Sequence, residues 1–120
     1  MKVAFSTSGN SLDSPLDNRF GRAPKFLVYD LDTETFETID NHQNLNAAQG
    51  AGIQSAETVA RTGAKCLVTG HCGPKAFRVL SAAEIKVYNT EVASVGEALD
   101  LFRTGKLVEA PSADVEGHWF

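Results

Sequence analysis

Residues 65–77 read as a strand, a tight turn and a helix with nothing between them, and this restricts the fold more than any other stretch. Lys65-Cys66-Leu67-Val68-Thr69 is short and apolar at its centre, as a buried strand is. Gly70-His71-Cys72-Gly73-Pro74 follows directly. Proline suits the first position of a helix, where its missing N–H needs no partner and its φ is already helical. Ala76, Phe77, Leu80 and Ala83 then recur at the helical period and are expected to face inward. A helix that leaves a strand this abruptly returns along the sheet. The next strand, Lys86-Val87-Tyr88, is therefore expected parallel, through a right-handed crossover. Units of this kind belong to α/β proteins.

The first half of the chain has a different character. Lys2 to Ser6 reads as a strand, followed by a long Ser-, Gly-, Asn- and Asp-rich loop over 7–24. Loops of that length inside a compact domain are usually functional or disordered. Lys25 to Leu31 and Thr35 to Asn41 make a hairpin about the polar turn 32–34, and the Thr and Glu content of the second strand suits an edge. A polar loop, 41–50, precedes a helix expected from Gly52 to Thr62. Ile53, Ala56 and Ala60 share one face of it, and Gly63 stops it. Ser94 and Glu97 resemble a capping box. The last helix presents Val95, Ala98, Leu99 and Phe102 inward, and Gly105 ends it. The order is β-β-β-α-β-α-β-α: one domain over 1–107 and a tail over 108–120, in which Trp119-Phe120 either meets a partner or folds back.

Composition narrows the function. The chain has 120 residues, 42% of them hydrophobic, and a formal net charge of −4. That charge argues against general nucleic-acid binding, which needs a basic face. No apolar run approaches the roughly 20 residues that span a bilayer, and the opening residues are too short for a secretory h-region. Cys66 and Cys72 make no disulfide framework, which points to reduced thiols in the cytoplasm.

Following the strand directions brings the chemistry to one place. With parallel central strands, loops 7–24, 41–50 and 70–74 all fall beyond the carboxyl end of the first strand, where open α/β sheets bind ligands. Two helices begin there, after Gly50 and after Gly73, and helix starts favour anions. Arg19, Arg22, Lys25 and Lys75 add cations to the same edge. Arg19 and Arg22 either grip an anion through planar forks or pair with Asp13 or Asp17 to order the loop. Lys75 opposes the dipole at its helix start, a misfit that an anion would relieve. Cys72 is either a thiol activated by a helix start or a small residue suited to a tight turn. His71 is either a soft-metal ligand or a loop histidine bonded to backbone. His42 and His118 are weaker candidates, and Cys66 reads as core.

Three segments in this order carry a resemblance: Asp17-Asn18-Arg19-Phe20-Gly21-Arg22-Ala23-Pro24 with Phe26, then Gly50-Ala51-Gly52-Ile53, then Thr69-Gly70-His71-Cys72-Gly73-Pro74-Lys75-Ala76. The chain resembles the dinitrogenase iron–molybdenum cofactor biosynthesis proteins from Met1 to about Leu107. It is similar in size and plan to the branch formed by the orange proteins of sulfate reducers. The resemblance implies a ribonuclease H-like three-layer fold, with a five-stranded mixed sheet in the order 3-2-1-4-5 and about three helices. It also implies non-catalytic handling of a molybdenum–sulfur cluster, with or without copper. The site would draw on Asn18, Arg19, Phe20, Arg22, Gly50, Gly52, Ile53, Gly70, Gly73 and Lys75, with His71 and Cys72 as candidate metal ligands. Leu16, Phe20 and Ile53 would shield the cluster. The expected partners are the cluster and other cluster-assembly or cell-division-related proteins, not nucleic acid or membrane. Two alternatives stand beside this. One is a metal-free interaction module using Asp114, Glu116 and the aromatic terminus. The other is a metal-dependent phosphoesterase, which needs clustered carboxylates, using Asp30 and Asp40.

Overall fold

The computed structural model describes residues 1–41 and 51–111, with backbone alone at Ala51. Residues 42–50, with His42 and Gly50, and the tail from Ser112, including Asp114, Glu116, His118 and Trp119-Phe120, lie outside the described residues.

Five strands form one sheet: β1 (Lys2–Thr7), β2 (Lys25–Asp30), β3 (Thr35–Asp40), β4 (Cys66–Thr69) and β5 (Lys86–Asn89). Their order is β3-β2-β1-β4-β5. The β1–β2 and β2–β3 pairs are antiparallel, and β1–β4 and β4–β5 are parallel. Three helices complete the fold: α1 (Ala51–Arg61), α2 (Pro74–Ala82) and α3 (Val95–Arg103). This is the expected ribonuclease H-like plan.

The sheet is buried on both faces, so its central strands are apolar throughout instead of alternating. The alternation lies in which layer each side chain meets. Ala4, Phe26, Val28, Leu67 and Val87 pack beneath α1 and α2 with Ala56, Val59, Ala76 and Leu80. Val3, Phe5, Leu27, Tyr29, Cys66 and Val68 pack beneath α3 with Val95, Ala98 and Leu99.

The helix faces differ from expectation at two alanines. Ala60 and Ala83 are exposed; Val59 fills the place expected of Ala60. Alanine buries too little surface to fix a helix's rotation, and a neighbouring valine outweighs it. Pro74 opens α2 as expected, and the Ser94 Oγ accepts from the Glu97 N–H at 3.2 Å. The sheet's two edges also differ. Glu109 bridges to Tyr88, and the Ala110 N–H donates to the Val87 carbonyl at 2.8 Å, so residues assigned to the tail cover β5. At the other edge β3 is outermost.

Candidate functional site

The loop from 8 to 24 lies across the carboxyl ends of β1 and β4 and is held there by backbone bonds. It first clasps α3. The Val95 and Gly96 N–H groups donate to the Ser14 and Leu12 carbonyls at 3.0 and 2.7 Å, and Pro15 bridges to Ser94. The start of α3 is thereby engaged by protein carbonyls, not left for an anion. Asp17 then docks on Ser6. Beyond it the chain runs parallel to His71: the His71 N–H donates to the Asn18 carbonyl at 2.8 Å, and the Phe20 N–H to the His71 carbonyl at 3.1 Å.

Glycine at 70 is what permits this approach. A Cβ there would sit 2.6 Å from the Asn18 Cα and 2.7 Å from its carbonyl oxygen. The Asn89 side chain donates to the Gly70 carbonyl at 3.1 Å and steadies the same turn.

A single 3-10 turn, Phe20–Arg22, follows and packs against α1. The sequence alone shows it only as part of the 7–24 loop. Phe20 is 1% exposed and meets Phe26 with ring centroids 5.4 Å apart. Asn41 fixes the far end of the turn: its Nδ2 donates to the Ala23 carbonyl and to the Ser55 Oγ of α1, both at 2.8 Å. Its buried Oδ1 has no partner among the described residues. Gly52 lets the first turns of α1 and α2 meet, since a Cβ there would lie 3.3 Å from the Ala76 Cβ.

The structure therefore gathers Asn18, Arg19, Arg22, Gly52, Ile53, Gly70, His71, Gly73 and Lys75 on one rim, with Gly50 outside the described residues. Asn18, Arg19, Arg22, His71 and Lys75 are exposed. Asp17 does not neutralise the arginines. Its Oδ1 accepts from the Arg19 backbone N–H at 2.9 Å, and no described carboxylate lies within ion-pair distance of either guanidinium. The His71 Nε2 is 3.8 Å from the Glu91 Oε1. Lys25 pairs with Asp40 at 3.2 Å.

Three side chains stand apart from the rim surface. Cys72 is 1% exposed and lies in the core beneath α1 and α2. Leu16 and Phe20 pack on opposite faces of the sheet, so they anchor the loop from below instead of shielding its outer side. Burial pushes the Cys66 thiol up, as suits a core residue. Asp30 and Asp40 stand at opposite ends of the β2–β3 hairpin, opposite Thr35 and Lys25 respectively, too far apart to share a metal pair. Ser6, Asn41, Thr69, Asn89 and Glu91 belong to the site with no sequence motif to mark them. A polar residue ending an apolar strand, as at Ser6 and Thr69, was the available signal.

Fold and rim together define a three-layer α/β domain with a cationic, loop-built edge and no gathered carboxylates of the catalytic kind among the described residues. The chain belongs to the family described as dinitrogenase iron–molybdenum cofactor, which it matches over residues 1–105. It is 39% identical to the apo form of the orange protein from Desulfovibrio gigas, with a TM-score of 0.91 over 95% of this chain and 96% of that one. It is 31% identical to a Thermotoga protein provisionally assigned as NifB, with a TM-score of 0.80 over 97% and 98% of the two chains. An uncharacterised protein of Methanocaldococcus jannaschii is 34% identical over 110 residues, 89% of each chain.

Proposed function

We propose that this chain binds and carries an anionic molybdenum-containing metal–sulfur cluster, with or without copper, at the carboxyl edge of its sheet, and that it does so without catalysis. The observation that supports this most is the pairing of Asn18–Phe20 with His71. It sets two arginines, unpaired by any described carboxylate, on the rim where α2 begins. The family description supplies the molybdenum; copper rests on the likeness to the orange protein.

The chemistry fits cargo better than a resident metal ion. Among the described residues no three His, Cys, Asp or Glu side chains gather as a ligand set. A sulfide-rich cluster is a soft, weakly hydrated polyanion, and guanidinium is the weakly hydrated cation of the protein repertoire. Charge and hydrogen bonds would hold the cluster, from Arg19, Arg22, Lys75 and amides near Gly52, Ile53, Gly70 and Gly73. His71, exposed beside Arg19, would contact a sulfide or metal directly. Cys72, 1% exposed and packed in the core, is set back from that contact. No described helix is long and apolar enough to cross a membrane, and a cytoplasmic carrier that hands its cargo to other cluster-assembly proteins completes the reading.

Anaerobic addition of tetrathiomolybdate, alone or with cuprous ion, is expected to give a coloured complex that co-elutes with the protein in gel filtration. The Arg19→Ala/Arg22→Ala double variant is expected to retain about tenfold less molybdenum by elemental analysis, as loss of two charge-assisted contacts implies. Protein that emerges colourless and metal-free ends the proposal.

A further inference from the structure

Ser6 is the penultimate residue of β1 and Thr69 the last of β4, and both are fully buried. The Ser6 hydroxyl donates to the Asp17 carbonyl at 2.8 Å. A hydroxyl has one proton. With that proton committed, the 2.7 Å contact between Ser6 Oγ and Thr69 Oγ1 must run from Thr69 to Ser6. The result is a directed chain from the Thr69 O–H through Ser6 Oγ to the Asp17 carbonyl. The Asp17 N–H donates back to the Ser6 carbonyl at 2.8 Å, so both sides of this loop residue are fixed on one strand residue.

The next three residues inherit that placement. The Arg19 N–H is held by the Asp17 side chain, the Asn18 carbonyl by the His71 N–H, and the Phe20 N–H by the His71 carbonyl. Where Arg19 stands relative to His71 thus depends on two hydroxyls beneath the rim. We propose that Ser6 and Thr69 are positioning residues for anion binding: neither touches the anion, and together they hold the Asp17–Phe20 segment in the register that lets Arg19 and His71 act on one ligand. This rests on the rim reading above.

Anaerobic titration with tetrathiomolybdate tests it, using Ser6→Ala, Thr69→Val, Thr69→Ser and the Arg19→Ala/Arg22→Ala variant, with amide protection of His71 and Phe20 followed by NMR. Ser6→Ala is expected to weaken binding about tenfold, the scale of a buried hydrogen bond left unmade. Thr69→Val is expected to weaken it about threefold on the same grounds, and Thr69→Ser to restore it. Protection is expected to fall at His71 and Phe20 while the β1–β4 amides keep theirs. If Ser6→Ala does not fold, the Val and Ser variants at 69 decide, because valine keeps the volume and removes only the hydroxyl. Folded Ser6→Ala or Thr69→Val protein that binds as wild type, while the arginine variant does not, overturns the positioning role and leaves the rim reading standing. An arginine variant that binds as wild type overturns the rim reading itself.

Discussion

Where β2 turns into β3, the Asp30 Oδ1 accepts from the N–H groups of Asp32 and Thr33, two and three residues on, at 2.9 and 3.3 Å. At the other end of the sheet, Asp17 is held by Ser6, 11 residues back, and Asn18 by His71, which belongs to a different βα unit. Both ends are well bonded. The first is bonded largely within its own turn, with added ties from the Met1 amino group to Asp32 and from Arg103 to Glu34; the second is bonded between segments that only the finished fold brings together. A locally tied turn can form early and alone. A turn tied from elsewhere is as good as the packing that presents its partners, so a ligand site built there is pre-organised only in the folded state.

Substitutions at each end can sharpen or break this contrast. The largest effect is expected at Gly70. Alanine there would press on the Asn18 backbone, and the cost in urea denaturation is expected to be about 1–3 kcal/mol, the range for overpacking. Gly63 is the counterpart at the opposite end: its φ is +83°, with nothing within 4 Å of an added Cβ. Gly63→Ala should cost about 1 kcal/mol from backbone strain alone and leave thiomolybdate binding unchanged. If Gly63→Ala disturbs the rim as much as Gly70→Ala does, the two ends are not independent.

A loss of similar size, about 1 kcal/mol, is expected for Arg103→Ala in the same assay. The Arg103 guanidinium donates to the Tyr29 hydroxyl at 2.7 Å and lies 5.1 Å from that ring's centroid, tying the end of α3 to the base of the sheet. The smallest effect concerns acid. Backbone N–H donation from Asp32, followed by that from Thr33, holds the Asp30 carboxyl below its ordinary range. Its contribution is present above the ordinary carboxylate pKa and is lost as pH falls through the lowered folded value. Asn behaves as the protonated acid at every pH, so Asp30→Asn is expected to flatten the acid limb of a stability–pH curve by slightly lowering the plateau above about pH 4, with stability below it nearly unchanged.

The same contrast explains what could be read from the chain beforehand. Pro74 at a helix start, the Ser94 cap and the hairpin about 32–34 are local signals, and each stands where the sequence put it. The convergence of 17–22 with 70–75 was also legible, because strand direction and crossover hand are general rules. The sheet order came with the family resemblance. What escaped depends on contacts across the fold. Phe20 and Leu16 looked like ligand shields because they sit in a polar loop, yet a long loop needs its own apolar anchors, and these two are buried on opposite faces. Ser6 and Thr69 looked like ordinary strand ends until their mutual bond was visible. Asn41 ended a strand in the sequence; in the structure it joins the Phe20–Arg22 turn to α1.

The uneven edges of the sheet bear on how this protein behaves at high concentration. Strand pairing with a second copy is a standing hazard for any outermost strand. Residues 109 and 110 remove that hazard at β5. At β3 the protection is chemical: the sequence Thr-Phe-Glu-Thr-Ile-Asp would bring carboxylates of like charge together in a self-paired ribbon. Glu37 and Asp40 would thus disfavour self-pairing along β3.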